Sequence, residues 1–354
     1  MNSIESIKIL AGKPVGWLKD GDSEESIILS SRIRLARNIS DLKFPLNSSD
    51  VEREYVKDVI CSAVDNSGVI KGRLNFKISE LSNVDRRFLL ERHLVSKDFC
   101  AGNVGSELIL ESDESFGIMI NEEDHVRVQV LSAGLSLGEL WKKINEKDTS
   151  LSEEVSFVFD SELGYLTSCP TNVGTGMRAS VMLNLPGLSM LGHMAGVIQG
   201  AGNLGMTVRG LYGEGSEAIG YMYQVSNQST LGESEEDIIE RLEKLIQQIA
   251  LFEKNARQIL FQTRKDFVLD FAGRAYGVLR YSHLISEKEA LNLLSALRMG
   301  VDMKMFSSLN IGKVNELFIS VQDSHLQKIC GRDLTSTEID GCRAELMRSF
   351  LRKE

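Results

Sequence analysis

Proline and glycine are distributed unevenly along this chain of 354 residues, and this distribution constrains the fold more than any other feature. All four prolines lie at or before Pro186, and glycine becomes sparse after Gly232. Because both residues interrupt regular helices, the part that lacks them can hold long helices, whereas the first part needs frequent turns. The sequence therefore predicts two regions of different architecture, with a boundary near residue 255.

The first region mixes strand and helix periodicity. On the helix at 50–63 we expect Val51, Tyr55, Val59 and Ala63 to form the buried face. The pattern as a whole predicts an α+β fold, in which helices flank a mostly antiparallel sheet. Strands are predicted at 26–37, 106–112, 116–120, 125–134, 155–160 and 218–226, and helices at 50–63, 135–147, 175–185 and after Pro186.

The second region has helical periodicity throughout, with helices predicted at 235–260, 286–300 and 335–353. In the middle helix, Ser286 is a suitable N-cap and Gly300 a suitable stop. We therefore predict a lead-in segment at 1–26, an α+β domain at 27–254 and an all-α domain at 255–354.

Composition and cysteine usage narrow the class of protein. A hydrophobic fraction of 42% suits a chain that buries a core, and a formal net charge of -10 argues against general binding to nucleic-acid phosphates. The five cysteines form no C-x-x-C pair, which favours a reducing cytoplasm over a disulfide framework or a zinc site. Because no apolar run reaches about 18 residues, we predict neither a leader peptide nor a membrane span.

Two arginines stand in the strand-like segment 26–37. Arg32 and Arg34 point to the same face of a strand, roughly 7 Å apart, while Ile33 and Leu35 point to the other face. Two guanidinium groups at this spacing can each donate bidentate hydrogen bonds to neighbouring phosphates. Taken alone, the pair fits a solvated strand face better than a phosphate site.

Charged residues cluster between two of the predicted strands. Glu122, Glu123 and Asp124 come shortly before Arg127, which sets an anionic site beside a cationic one. A phosphate donor and a positively charged acceptor need that combination. Because Asn and Asp are common turn residues, a polar hairpin turn is the simpler interpretation of this segment alone.

The segment 168–181, SCPTNVGTGMRASV, places Cys169 and a Gly-Thr-Gly turn before Arg178. We predict a loop that enters the helix at 175–185, whose N-terminus can bind phosphate. Arg178 in the first turns opposes the positive end of that helix, which favours an anionic partner. The lysine of a Walker loop is missing. Cys169 is also compatible with a small buried hydrophobic residue.

The segment 208–216, VRGLYGEGS, contains three glycines, which predicts a mobile loop. Arg209 and Glu214 can bracket a substrate when such a loop closes, although a surface loop with incidental charges is the alternative. His93 by itself is more typical of a packed or solvated helix residue than of a ligand. No spacing of His, Cys, Asp and Glu indicates a metal site in the protein.

Taken together and in this order, SSRIRLAR, INEEDHVR, SCPTNVGTGMRASV and VRGLYGEGS resemble the catalytic domain of the phosphagen (guanidino) kinases. The resemblance covers roughly Ile27 to Gln248. The metabolic members of that superfamily carry a helical domain before the catalytic one, whereas here the arginine pair begins at residue 32 and a helical region follows. The chain is therefore more similar to the protein arginine kinases of bacteria.

The resemblance implies ATP as phosphate donor, Mg²⁺ as its counter-ion and an arginine guanidinium as acceptor. Glu123 and Glu214 match two carboxylates that hold the guanidinium, with Glu123 as the catalytic base, and we place Glu122 beside them. Cys169 matches a reactive cysteine next to the same group. Residues implied to bind the nucleotide are Ser30, Ser31, Arg32, Arg34, His93, Arg127, Arg178, Ala179, Ser180, Val181, Met182, Arg209, Gly210, Gly213 and Glu214.

Protein arginine kinases often carry an R-D-x-x-R-A motif that binds phosphoarginine and regulates the enzyme. The matching stretch here has Ile339 in place of the first arginine and keeps Asp340 and Arg343. Because one guanidinium group is missing, we expect this regulatory site to be degenerate. An ion pair on the helix surface, spaced i, i+3, is the alternative interpretation of Asp340 and Arg343.

The leading hypothesis is phosphorylation of arginine side chains in proteins, which marks them for Clp-type degradation or regulates a stress repressor. The alternatives are a free-arginine phosphagen kinase and a mainly non-catalytic adaptor that binds a repressor or protease partner. The resemblance implies protein substrates with exposed arginine, a zinc-finger activator, a heat-shock repressor and the Clp machinery as partners. It also implies a homodimer. Cysteine usage predicts the cytoplasm, and the acidic charge and the lack of a long apolar run predict neither nucleic-acid nor membrane contacts.

Overall fold

The structure is a computed structural model that describes residues 3–18, 27–210 and 218–353. Helices and strands alternate up to residue 227, and helices alone follow. The strands are β1 (Ile28–Arg37), β2 (Leu74–Lys77), β3 (Glu107–Leu110), β4 (Phe116–Ile120), β5 (Val126–Ala133), β6 (Phe159–Asp160), β7 (Gly164–Tyr165), β8 (Met177–Asn184), β9 (Met206–Gly210) and β10 (Met222–Asn227). The helices are α1 (Ser3–Ala11), α2 (Asp50–Ser67), α3 (Asn83–Glu91), α4 (Leu137–Glu154), α5 (Pro186–Met190), α6 (Met194–Asn203), α7 (Glu235–Thr263), α8 (Lys265–Tyr281), α9 (Glu287–Asp302), α10 (Ile311–Ser320), α11 (Asp323–Cys330) and α12 (Ser336–Lys353).

The larger sheet has eight strands in the order β2-β3-β4-β5-β1-β8-β10-β9, and β6 and β7 form a separate antiparallel ribbon. Strands β2 to β5 pair antiparallel with their neighbours, so that Glu107 lies opposite Ile120 and Phe116 lies opposite Val130. Every residue of β3 and β4 is buried, as expected of strands covered on both faces. The predicted α+β class, with helices on a mostly antiparallel sheet, is confirmed.

The chain divides into two compact units. The first consists of Met1–Trp17, Ser31–Ser180 and Ser226–Glu243, and the second of Leu18–Ser30, Val181–Val225 and Lys244–Glu354. Helix α7 continues without interruption across residue 255. The domain limits read from composition, 1–26, 27–254 and 255–354, stay a prediction.

In the first unit, α2 and α4 pack together, and they contact β4 and β5. The helix predicted at 50–63 is present as α2, and a capping box between Ser49 and Glu52 starts it. The predicted buried face is wrong, because Val51 and Tyr55 are 80% and 58% exposed. The helix instead buries a face that includes Ile60, since the sheet and α4 lie on that side.

Strand β8 corrects the prediction of a helix at 175–185. Its apolar residues recur with period two, and Met177, Ala179, Val181 and Leu183 are all fully buried. The amide of Ala179 donates to Oδ1 of Asn227 at 2.8 Å. The prediction of a helix gave more weight to helix-forming residue types than to the period-two recurrence of apolar residues. In a short segment that recurrence is the stronger indicator.

Two other predicted strands are shorter than expected. Of residues 155–160 only Phe159–Asp160 form a strand, β6, and Phe157 makes an isolated antiparallel bridge with Ile39. The segment 218–226 begins with a 3₁₀ turn at Ile219–Tyr221, and β10 starts only at Met222.

The second unit has a core of helices. Leu279, Leu291, Leu294 and Met347 belong to one buried cluster that joins α8, α9 and α12. Ser286 caps α9, as predicted, by accepting from the amide of Glu289. Gly300 does not stop the helix, which continues to Asp302. A Cβ at Gly300 would lie 2.6 Å from the ring of Phe306. Close packing against this ring therefore explains why the position is a glycine.

Arg343 is a buried link between three parts of the second unit. Its side chain is 1% exposed and donates to the carbonyl oxygens of Val321 at 2.8 Å and Ile285 at 2.7 Å. The guanidinium also forms ion pairs with Asp323 and Asp340. The interpretation of Asp340 and Arg343 as a pair on the helix surface is therefore wrong, because the arginine lies inside the fold.

Replacing Arg343 by alanine should lower the free energy of unfolding of the second unit by about 3–5 kcal/mol, because buried carbonyls and two carboxylates lose their donor. Urea denaturation of the full chain measures this loss. Arg332→Ala is the matched control, since Arg332 is 59% exposed and pairs with Glu338 at 2.8 Å. This control variant should lose less than about 1 kcal/mol of unfolding free energy. Equal losses in the two variants would contradict the structural role of Arg343.

Candidate active site

A cavity of about 150 Å³ lies within the first unit. It brings together three of the segments singled out in the sequence: β1, the turn between β4 and β5, and the stretch that leads into β8. Five of its lining residues were predicted as site residues, and the other four are small or neutral. The lining residues are Arg34, Ala36, Glu123, Arg127, Cys169, Thr171, Asn172, Gly176 and Arg178.

Like charges crowd around this cavity. Arg32 and Arg34 are half-buried on the same face of β1, as predicted, while Ile33 and Leu35 are fully buried on the other. Burial, and then the charges of Arg178 and Arg127, lower the pKa of Arg32 to about 10. A lowered pKa measures how strongly the surroundings disfavour another positive charge.

Arg34 experiences the same crowding more strongly. Burial lowers its pKa well below the ordinary value, and the neighbouring arginines, first Arg32, add to the effect. Its Nε is buried, and no residue of the described chain accepts a hydrogen bond from it. An unsatisfied donor in a cluster of cations is costly unless an anion binds there. This cluster of arginines is therefore suited to bind a multiply charged anion such as a polyphosphate.

The turn between β4 and β5 supplies the opposite charges. Glu122 is 2% exposed, and its Oε2 lies 2.7 Å from Nη1 of Arg127. Glu123 is 41% exposed and lines the cavity, with Oε2 at 3.0 Å from Nη2 of Arg127. The predicted hairpin turn and the predicted charge cluster are thus the same structure. Glu122 is paired with Arg127 and does not line the cavity, whereas Glu123 does line the cavity.

Asp124 connects this turn to the segment that carries Cys169. Its Oδ1 accepts from the side-chain amide of Asn38 and from the backbone amide of Ser168, both at 2.7 Å. The amide of Asn38 also donates to the carbonyl oxygen of Leu166 at 3.1 Å. Sequence reasoning missed this role, although the run of three acids in a turn indicated that one of them would be structural.

The Gly-Thr-Gly segment lets the chain pass close to its neighbours. Gly174 has φ 113°, and a Cβ there would lie 2.0 Å from the carbonyl oxygen of Thr230. Gly176 has φ 63°, and a Cβ there would lie 2.7 Å from the carbonyl oxygen of Ala36. Since a strand follows and not a helix, the expected phosphate site at a helix N-terminus is wrong. Side chains supply the positive charge instead.

Cys169 precedes a 3₁₀ turn at Pro170–Asn172. Its Sγ lies 3.0 Å from Oγ1 of Thr171, and Oγ1 of Thr167 donates to its carbonyl oxygen. The side chain is half-buried and lines the cavity, so the alternative of a small residue buried in the core does not apply.

Several predicted nucleotide residues of the first unit lie away from the cavity lining. Oγ of Ser31 donates to the carbonyl oxygen of Gly134 at 2.7 Å and is buried. His93 sits in a turn after α3 with φ 61°, and its ring centre lies 5.9 Å from that of Trp17. Ala179 and Ser180 are buried on β8. Their roles stay predictions.

The remaining predicted residues fall elsewhere. In the second unit, Ser30 is half-buried on β1, Val181 is buried, and Met182 packs against the helical core. Arg209 and Gly210 are half-buried on β9. Gly213 and Glu214 lie outside the described residues.

His125 directly follows the three acidic residues of the turn between β4 and β5. Its Nδ1 accepts from the amide of Ile39 at 3.0 Å, so the proton of the neutral ring lies on Nε2 and is donated to the carbonyl oxygen of Lys43 at 2.9 Å. Burial lowers the pKa of His125 below its ordinary value. Protonation would therefore remove the bond from Ile39 and bury a charge.

A lowered pKa in the fold means that the stability due to neutral His125 is complete above about pH 6.5 and is lost as the pH falls below that value. Unfolding free energies of the first unit should decrease between pH 7.5 and 5.5 by up to about 1.4 kcal/mol per pH unit more than in His125→Gln. Urea midpoints at three pH values measure the slope. His283→Gln, at an exposed histidine, should keep the slope of the natural chain.

Because the cations around the cavity repel one another, we expect opposite changes in Tm when each of two arginines of β1 is replaced. Without ligand, Arg34→Gln should raise Tm by about 2–4 °C, since it relieves about 1 kcal/mol of repulsion. It should also remove most of the stabilisation that tripolyphosphate gives the natural chain. Thermal denaturation with and without tripolyphosphate measures both effects.

Arg37→Gln is the control on the same strand. Arg37 is buried, pairs with Asp148 at 2.8 Å, and lies 3.5 Å above the ring centre of Tyr165. Its loss should lower Tm, because the carboxylate of Asp148 is left buried and unpaired. A lower Tm of ligand-free Arg34→Gln would show that Arg34 is structural and would contradict the anion site.

The chain matches two family models. Residues 54–256 match "ATP:guanido phosphotransferase, C-terminal catalytic domain", and residues 265–354 match "Protein-arginine kinase McsB C-terminal domain". It is 42% identical over 335 residues to the protein-arginine kinase of Pelotomaculum thermopropionicum, covering 94% of each chain. It is 43% identical over 340 residues to that of Bacillus cereus (strain AH820), covering 96% of each chain.

Two solved structures share the fold. The duplicated taurocyamine kinase of Schistosoma mansoni, with bound transition-state analog components, has a TM-score of 0.59 and 27% identity over 65% of this chain and 33% of its own. Lombricine kinase has a TM-score of 0.58 and 26% identity over 69% of this chain and 70% of its own. Fold and cavity thus define a kinase of the phosphagen type.

The sequence identity to protein-arginine kinases over nearly the full length shows which branch of the phosphagen-type kinases the chain belongs to. The chain belongs to the ATP:guanido phosphotransferase family, among the protein-arginine kinases, as its four segments predicted. Among the residues that the structure describes, no helix is both long and apolar enough to cross a membrane.

Proposed function

We propose that this kinase transfers the γ-phosphate of ATP to guanidinium groups of arginine side chains in proteins. The observation that carries the proposal is the cavity itself, in which three arginines face one exposed carboxylate and one thiol. The arginines suit the phosphates, and Glu123 with Cys169 suits a guanidinium. The names of the relatives supply the protein-bound acceptor.

The arginines bind and neutralise the donor. Phosphoryl transfer depends on alignment and on stabilising charge that spreads over the oxygens of the transferred group. Arg34, Arg127 and Arg178 line the cavity, and Arg32 lies close enough for Arg178 and Arg127 to lower its pKa. Arg127 is held by Glu122 and Glu123 before ATP binds, so this guanidinium needs little reorganisation during the reaction. We place Arg209 in the same role by the resemblance.

Mg²⁺ fits this site as a companion of the nucleotide. Within 3–18, 27–210 and 218–353, no group of three or more His, Cys, Asp or Glu side chains could hold a metal ion. By the resemblance, Mg²⁺ would be carried by the phosphates of ATP, where it would add to charge neutralisation. The side chains of the cavity then contact the phosphates directly.

Glu123 acts on the acceptor. A guanidinium has a pKa above 12, so its nitrogen attacks phosphorus only as a proton leaves. Glu123 is accessible from the cavity and held by its ion pair with Arg127, so its carboxylate can orient the guanidinium and receive that proton. Cys169 lies against the same group. We keep Glu214 as the second carboxylate, on the resemblance alone.

The cellular role extends this proposal further. The match of residues 265–354 to the protein-arginine kinase C-terminal domain supports protein substrates over free arginine. By the resemblance we propose a cytoplasmic homodimer that marks proteins for Clp-type degradation or controls a heat-shock repressor, with a zinc-finger activator. A free-arginine kinase and a mainly non-catalytic adaptor are the competing functions.

Glu123→Gln should lower kcat for phosphorylation of a basic protein by about 10²–10⁴-fold, because the amide cannot accept the proton. Mass spectrometry of phosphoarginine, with acid avoided, and release of ADP measure the rate. Glu153→Gln, at an exposed position on α4, should leave the rate unchanged.

The same assay separates the competing functions. Free arginine in place of the protein should give little ADP, and faster turnover of free arginine would favour the phosphagen kinase. No phosphoarginine from the natural chain on any basic protein would leave the adaptor as the better explanation. Undiminished activity of Glu123→Gln would refute the role of Glu123.

A further inference from the structure

Two cysteines of the second unit lie side by side. Cys330 ends α11 and Cys342 lies on α12, and their Sγ atoms are 3.3 Å apart. Cys330 is exposed and Cys342 is half-buried, so an oxidant can reach the pair from solvent. Neither residue belongs to the cavity or to any step of the proposed phosphoryl transfer. The pair is therefore a separate chemical feature of the chain.

The local structure holds the two thiols together. Gly331 follows the last residue of α11 as its C-cap with φ 67°, and its amide donates to the carbonyl oxygen of Gln327 at 2.9 Å. Arg332 pairs with Glu338 at 2.8 Å. The amide and Oγ1 of Thr335 also donate to Glu338, both at 2.8 Å. The connection between the two helices is thus fixed on the α12 side.

The residue after Cys342 anchors the other side of the pair. Arg343 is buried and bonded to the carbonyl oxygens of Val321 and Ile285. Helix α12 therefore cannot turn Cys342 away without breaking these bonds. A disulfide has an S–S length of about 2.05 Å, so the sulfur atoms need to approach by only about 1.2 Å.

We propose that Cys330 and Cys342 form a reversible intrachain disulfide when a two-electron oxidant such as hydrogen peroxide reaches them. The thiolate of Cys330 attacks one oxygen of the peroxide, the O–O bond breaks, and a sulfenic acid and hydroxide form. The thiolate of Cys342 then attacks the sulfur of Cys330 and displaces a second hydroxide. The two thiol protons convert both hydroxides to water, so two thiols and one peroxide give one disulfide and two waters.

The surroundings favour this order of events. Sharing its proton with Cys330 raises the pKa of Cys342, and its partial burial adds to the rise. The proton therefore stays on the less accessible sulfur. The guanidinium of Arg332 interacts with both sulfur atoms. Cys330, which is exposed, reacts first, and Cys342 resolves the sulfenic acid.

The bond would cross-link α11 to α12 beside the anchor formed by Arg343. It closes a loop of about a dozen residues and so removes freedom from the unfolded chain, which stabilises the fold. We expect oxidation to raise the Tm of the second unit by about 5 °C. This inference does not depend on the proposed kinase substrate, because neither cysteine lies in the cavity.

The test treats the full natural chain with hydrogen peroxide, blocks free thiols with N-ethylmaleimide and digests it with trypsin without reduction. Cleavage after Lys328, Arg332 and Arg343 gives the peptides 329–332 and 333–343, each with one cysteine. We expect these two peptides to appear as one linked species that dithiothreitol separates. Thermal denaturation of the oxidised and reduced chains should show the rise in Tm.

Matched variants make the result specific. Cys330→Ser and Cys342→Ser should lose both the linked species and the rise in Tm. Cys61→Ser should keep both, since Cys61 is half-buried on α2 and burial raises the pKa of its thiol to about 11. Oxidation of Cys330 to sulfinic acid without the linked species would overturn the proposal. A covalent dimer joined through Cys330 of two chains would overturn it as well.

Discussion

The buried ion pair between Glu122 and Arg127 is the interaction on which the candidate active site depends. Its two side chains are 2% and 12% exposed, and their charged atoms lie 2.7 Å apart. Arg127 stands among arginines that lower one another's pKa values, and Glu122 opposes that effect at Arg34. Without the carboxylate of Glu122, less negative charge would oppose the repulsion between these arginines. Glu122 thus allows the cavity to remain strongly cationic before the donor binds.

Three consecutive acids have three separate functions because the tight turn points them in different directions. Glu122 is buried against Arg127, Glu123 is exposed to the cavity, and Asp124 is fully buried against Asn38 and the amide of Ser168. The arrangement places the carboxylate of Glu123 and the thiol of Cys169 in one cavity. Residues that do not line the cavity therefore help to determine the geometry of two that do.

The C-terminal helices give a structural role to Arg343, a residue that the resemblance assigned to a degenerate regulatory motif. Ile339, which replaces the first arginine of the phosphoarginine motif, is 8% exposed and belongs to the buried hydrophobic core. Arg343 keeps the identity expected of the motif, but its bonds link α12 to the ends of neighbouring helices. Loss of a phosphoarginine response in an Arg343 variant would therefore not distinguish a ligand contact from a weakened fold. The cysteine pair lies on the outer side of this anchor.

The sequence by itself determined the α+β class, the antiparallel strands before residue 227, the helices after it and the residue types of the site. These follow from local periodicity, from the placement of proline and glycine, and from four segments specific to one family. Only the tertiary structure decided that 175–185 is a strand, that α2 buries the face containing Ile60, and that Glu123 and not Glu122 lines the cavity. It also brought Cys330 against Cys342. The physical reason is that burial and like-charge crowding arise between segments far apart in the chain, whereas periodicity reports only on near neighbours.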